Sequence, residues 1–85
     1  MTKLVRVQVR YYAQLRDGLG LSQEDVEVEL PTTEPVILRF LANLHPSHAD
    51  LILTSRLAVE DEYLPHGTRI LELGSVDIIS PVSGG

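Results

Sequence analysis

The chain has no cysteine. That excludes disulfides, cysteine-ligated zinc and a thiol nucleophile of its own, and it fits a reducing, cytoplasmic setting. Basic residues are scarce. Seven Lys and Arg stand against twelve Asp and Glu, for a net charge of −5. A nucleic-acid binder needs a basic footprint, so this balance argues against one and favours a protein partner with a basic docking surface. No run approaches the roughly 18 apolar residues that span a bilayer, and the first residues carry no apolar secretory-signal region, so neither membrane nor export is expected. A phosphate loop is missing too: Gly18 and Gly20 lack the following Lys-Ser/Thr and the strand-to-helix setting. Internal repeats, linkers and low-complexity stretches are absent.

What is there is an ordinary globular composition, 44% hydrophobic and 22% charged, over 85 residues. One domain of this size buries somewhat over about 60% of its unfolded surface. Residues 4–12 alternate, with Val5, Val7, Val9 and Tyr11 on one face and Leu4, Arg6, Gln8, Arg10 and Tyr12 on the other. This is a half-buried strand. Residues 13–20 turn the chain, either by a tight hairpin at Asp17-Gly18 or by a helical turn over Ala13-Gln14-Leu15-Arg16. Residues 26–30 alternate again, and Pro31 stops that second strand.

The period then changes. Thr33 is placed to N-cap a helix with Glu34 and Pro35 in its first turn, where an acid and a proline are both favourable. Ile37, Leu38, Leu41 and Leu44, supported by Phe40, form its apolar stripe, and His45-Pro46 ends it. Ser47 is expected to cap a shorter helical piece through Leu53, with Asp50 in capping-box register. Residues 57–59 read as a short strand, 65–68 as a turn, and 70–73 and 76–79 as two further strands separated by Gly74-Ser75. One main helix laid across one mixed sheet of four to five strands is an α+β two-layer domain.

Few residues in this body suggest chemistry. His45 and His48 are split by Pro46, His66 is remote, and no carboxylate cluster completes a metal shell, so all three read as isolated surface or capping histidines. The run Glu60-Asp61-Glu62 reads as a solvated turn, with a docking patch as the alternative. Ser83 has no positioned base. The informative segment is the last one, Pro81-Val82-Ser83-Gly84-Gly85. Pro81 ends the preceding strand stiffly, and two glycines without Cβ atoms fit a channel too narrow for other residues. Residues 80–85, fully extended, reach roughly 20 Å, enough to place a terminal carboxylate deep in another protein. The domain proper is expected over residues 1–79, and the extended tail over residues 80–85.

Several stretches together resemble a known family. Tyr11-Tyr12-Ala13-Gln14-Leu15-Arg16-Asp17 is similar to its aromatic-aromatic-Ala-x-x-Arg-Glu stretch, with Asp for Glu. Leu30-Pro31 before the Thr33 helix, His45-Pro46 with Ala49-Asp50, Leu57-Ala58-Val59 with Glu62-Tyr63, and the run from Ile78 to Gly85 match as well. The family is the β-grasp, ubiquitin-like sulfur carriers, in particular the molybdopterin synthase small-subunit (MoaD) type. Ser80 in place of a proline, Glu60 in place of Asn or Arg, and a Gly74-Ser75-Val76-Asp77 segment one residue shorter depart from the pattern.

The resemblance implies the sulfur-donating subunit of a heteromeric sulfurtransferase, in molybdenum cofactor biosynthesis. Gly85, preceded by Gly84, would be adenylated and then carry sulfur as a thiocarboxylate (1-thioglycine). It implies no tightly bound cofactor and no metal, with ATP used by a ubiquitin-activating-like adenylyl/sulfurtransferase partner. A large, MoaE-like subunit would supply the remaining active-site groups in a heterotetramer of two small and two large chains. Tyr12, Arg16, Tyr63, Ile79, Pro81, Val82 and Ser83 are the implied partner contacts. Tyr12 also stands out from the pleat as an aromatic on the polar face. Related alternatives are a ThiS-like carrier for thiamine synthesis, a ubiquitin-related modifier in tRNA thiolation, or an inert interaction module.

Overall fold

The first alternating segment folds as β1, Lys3–Tyr11, in a computed structural model that describes residues 1–81. Val7, Val9 and Tyr11 are buried, as the period-two pattern requires. β2, Gln23–Leu30, lies antiparallel beside it, with Val5 opposite Val28 and Val7 opposite Val26. This register puts both valine rows on one face; a slip by one residue would turn them to solvent.

Between these strands the chain makes a helix, not a tight hairpin. α1 spans Ala13–Leu19 and closes at Gly20, which has φ 73° and donates its N–H to the Arg16 carbonyl. The left-handed residue is thus Gly20, not Gly18, and buried Leu15 anchors the turn to the core.

α2, Glu34–Leu44, crosses the sheet with Ile37, Leu38, Leu41 and Ala42 buried. Thr33 occupies the N-cap position, but its side chain makes no capping bond. The expected stripe is corrected at two places: Phe40 and Leu44 are 38% and 46% exposed. The pairs 37/41 and 38/42 are the i,i+4 ridges that touch the sheet, and 36/40/44 is the next ridge round the helix.

A 3₁₀ turn, Pro46–His48, leads into α3, Ala49–Leu53, which buries Ile52. Ser47 does not cap it; its hydroxyl bonds His48 Nδ1 instead. β3, Arg56–Val59, β4, Glu62–Tyr63, and β5, Ser75–Ile79, complete a sheet in the order β2-β1-β5-β3-β4. Only β1 and β5 run parallel; the other neighbours are antiparallel.

The strand expected at 70–73 is not formed. Ile70 makes one isolated bridge to Thr32, and Leu71 is 60% exposed. β5 pairs with β1 only from Gln8 to Tyr11, and residues 70–73 do not extend that pairing toward Lys3; their single bridge goes instead to Thr32, just past β2. Among the described residues no helix is long and apolar enough to cross a membrane. The tail expected at 80–85 is reached only as far as Pro81; Val82, Ser83, Gly84 and Gly85 lie outside the described residues.

Candidate docking site at the base of the tail

The parallel register of β1 and β5 sets Val9 beside Val76 and Tyr11 beside Ile78 on the core side. Arg10 and Asp77 are then neighbours on the opposite face. That row continues through Ala58 of β3 to Tyr63 of β4, with Ile79 and Arg56 paired just beyond. Residues distant in sequence are thus gathered where β5 runs out toward the tail.

Asp77 organises the group. Only 7% exposed, it accepts a hydrogen bond from Arg10 Nε at 2.6 Å and another from the Tyr12 hydroxyl at 3.1 Å, both on Oδ1. Ala13, at φ 50°, bends the chain sharply just after Tyr12. Tyr12 stays 39% exposed and Tyr63 58%. The Arg56 guanidinium lies 5.5 Å from the Tyr63 ring centroid and also bonds the Glu34 carboxylate and the Leu64 carbonyl. Ala58, Asp61, Tyr63, Asp77 and Ile79 line a shallow depression here. Partial desolvation first, then the Asp77 bond, raise the Tyr12 hydroxyl above the ordinary tyrosine pKa, so it remains a donor at neutral pH. The bond to Asp77 is likewise the main cause raising the Arg10 pKa. The result is an apolar depression with an acidic rim and aromatic flanks, suited to docking; it holds no nucleophile with a positioned base.

The predicted contacts divide accordingly. Tyr63 and Ile79 line the depression with Asp77, and Tyr12 joins them through its hydroxyl's bond to Asp77. Arg16 is one helical turn on, pairs loosely with Asp17 at 3.6 Å, and does not line the depression. Pro81 is exposed at the strand's exit. The acidic run divides as well. Glu60 and Asp61, at φ 52° and 67°, form the two-residue turn between β3 and β4, while Glu62 pairs with Val59. Two positive φ values give the primed turn that matches strand twist. Asp77 and Arg10 were missed in the sequence. Asp77 carried a signal, a lone carboxylate inside an apolar strand, but its partner is 67 positions away.

His45 stands at the C-cap of α2, as a capping histidine would, but it is not isolated. Its Nε2–H donates to Glu24 Oε2 at 2.6 Å, and the Tyr11 hydroxyl donates to the same oxygen at 2.6 Å. The two rings meet edge-on, 6.0 Å between centroids. Burial first, then Glu24, raise the Tyr11 pKa well above its ordinary value. This half-buried network clamps the end of β1, next to Tyr12. Among the described residues no group of three or more His, Asp or Glu is placed to hold a metal ion.

The family model described as the ThiS family matches residues 9–85. The chain belongs to the ThiS family. The human molybdopterin synthase sulfur carrier subunit is 30% identical over 88 residues, covering 100% of both chains. Among solved structures, the putative molybdopterin converting factor subunit 1 of Pyrococcus furiosus superposes with a TM-score of 0.71 at 20% identity, over 92% of this chain and 99% of that one. Small archaeal modifier protein 1 of Methanosarcina acetivorans gives 0.70 at 20% identity, over 98% and 99%. The Helicobacter pylori complex of subunits 1 and 2 of molybdopterin-converting factor gives 0.53 at 15% identity, over 95% and 100%. At these identities the structures establish the fold, which is the ubiquitin-like β-grasp.

Proposed function

We propose that this family member is the sulfur carrier subunit of a molybdopterin synthase. The likeness to the human sulfur carrier subunit over the full length of both chains carries this reading. The Gly85 carboxylate would attack the α-phosphate of ATP on an adenylating partner, releasing pyrophosphate. A sulfur donor would then displace AMP, leaving a terminal thiocarboxylate. This ionised, soft sulfur supplies a nucleophile that a chain without cysteine otherwise lacks. Bound to a large subunit, the thiocarboxylate sulfur would attack cyclic pyranopterin monophosphate, water would then cleave the acyl–sulfur bond and restore the Gly85 carboxylate, and two such transfers would build the dithiolene.

The docking depression supports this reading by its position. It lies beside the outward end of β5, so a partner seated on Tyr12, Tyr63 and Ile79 receives the chain leaving through Ser80 and Pro81. The H. pylori complex, in which subunits 1 and 2 associate, supports a large-subunit partner of the same kind. A second reading, a carrier or modifier serving another pathway, is favoured by the likeness to the small archaeal modifier.

The test is an intact mass after incubation with an adenylating partner, ATP and a sulfur source, followed by addition of the large subunit and precursor. The expected result is replacement of one oxygen by sulfur on the C-terminal peptide, then molybdopterin. Sulfur on Gly85 without molybdopterin would support the second reading. Modification at an internal residue, or none with a verified active partner, would refute both.

A further inference from the structure

At the edge of the sheet opposite Tyr63 and β4, β2 carries no outer strand among the described residues. Over this edge runs the unpartnered ridge of α2. Val36, Phe40 and Leu44 are 50%, 38% and 46% exposed and follow one another at i, i+4 and i+8. Between ridge and strand lies a hollow of about 290 Å³ that includes Thr32, Val36 and Phe40. A second hollow, sharing Phe40 and Glu27, extends it past Leu44. Together they make one groove along β2, whose eight residues span roughly 27 Å.

Three features point to the occupant. A free strand edge offers main-chain donors and acceptors to an added strand, and alternate side chains of that strand would face the apolar ridge. Thr32, only 7% exposed, lines the groove with a buried hydroxyl that has no hydrogen-bond partner among the described residues. The rim is acidic: Asp25, Glu27 and Glu29 are exposed along β2, and Arg6, opposite Glu27, is the one basic lining residue among those described. A second copy of the chain pairing here through β2 would set these acids against their like, which is unfavourable.

We propose that this groove is a second docking site, which takes an extended segment of a partner protein, alternating apolar and basic residues, as a sixth strand on β2. It is separate from the tyrosine face, so a partner held here leaves the tail free to enter an enzyme.

The isotope-labelled full-length chain, titrated with a peptide of about ten residues alternating valine and lysine, tests this by NMR. The expected result is saturable shifts along β2 and at Val36, Phe40 and Leu44, with main-chain contacts between peptide and β2. Phe40→Ser, the half-exposed Val36→Lys, and the pair Glu27→Lys and Glu29→Lys should each weaken binding about tenfold or more, with Tyr12→Asp unchanged. Equal binding by a valine–glutamate peptide, shifts centred on Tyr12 and Tyr63, self-association through β2, or no saturable binding would overturn the proposal.

Discussion

Replacing Tyr11 by Phe removes one hydroxyl from the clamp at the end of β1. That oxygen donates to a carboxylate at 2.6 Å, and the residue is 1% exposed. A hydrogen bond to a charged group contributes about 1.5–3 kcal/mol net. Glu24 keeps its bond to His45, and its side chain is 25% exposed, so water recovers part of the loss. The lower end, about 1.5 kcal/mol, is therefore expected. Phe keeps the edge contact with His45 and leaves no large cavity. For a domain of this size that cost lowers Tm by roughly 6–12 °C.

A second signature lies at alkaline pH. The folded-state pKa of Tyr11 is raised, so its contribution is fully present below the unfolded value near 10. Above that pH the unfolded chain loses the proton while the folded chain keeps it, and stability falls by up to about 1.4 kcal/mol per pH unit. Tyr11→Phe should remove this share of the slope and leave the share of Tyr12, whose pKa is also raised. Urea unfolding followed by circular dichroism, at neutral pH and through the alkaline range, measures both. An unchanged midpoint together with an unchanged alkaline slope would refute the clamp.

Ile79→Asp should weaken association with the large synthase subunit about tenfold or more, because it puts an unpaired carboxylate into the docking depression, and Tyr12→Asp should do the same by replacing the donor to Asp77 with a second carboxylate beside it. Folding of the free chain should suffer less; calorimetric titration beside a thermal melt separates the two effects. Replacing Glu60-Asp61 by Asn-Gly should stabilise the free chain by about 0.5–1 kcal/mol, since both positions have positive φ. Denaturant unfolding checks this, and a loss of stability would refute the turn assignment.

Periodicity alone was enough to place β1 and β2, because each is amphipathic and its valines must face one core. The α2 boundaries were legible from Thr33-Glu34-Pro35 and His45-Pro46, where local sterics dominate. Its rotation was not. Whether Leu44 or Ala42 faces inward depends on which i,i+4 ridge meets the sheet, a choice made by packing. Residues 70–73 had the composition of a strand but not a place in the sheet. Glu62 and Tyr63 had a place, supplied by the turn before them, despite an acidic composition.

The sequence by itself determined the kind of molecule. Its lack of cysteine, its acidic balance and its two alternating strands before a helix all act locally or in composition, and they can be read without coordinates. The tertiary structure decided where partners can sit. The Arg10–Asp77–Tyr12 group, the Tyr11–Glu24–His45 clamp and the groove along β2 join residues that only the strand order brings together. Side-chain hydrogen bonds and apolar contacts act over a few ångströms, so such groups exist only after the sheet has fixed its register.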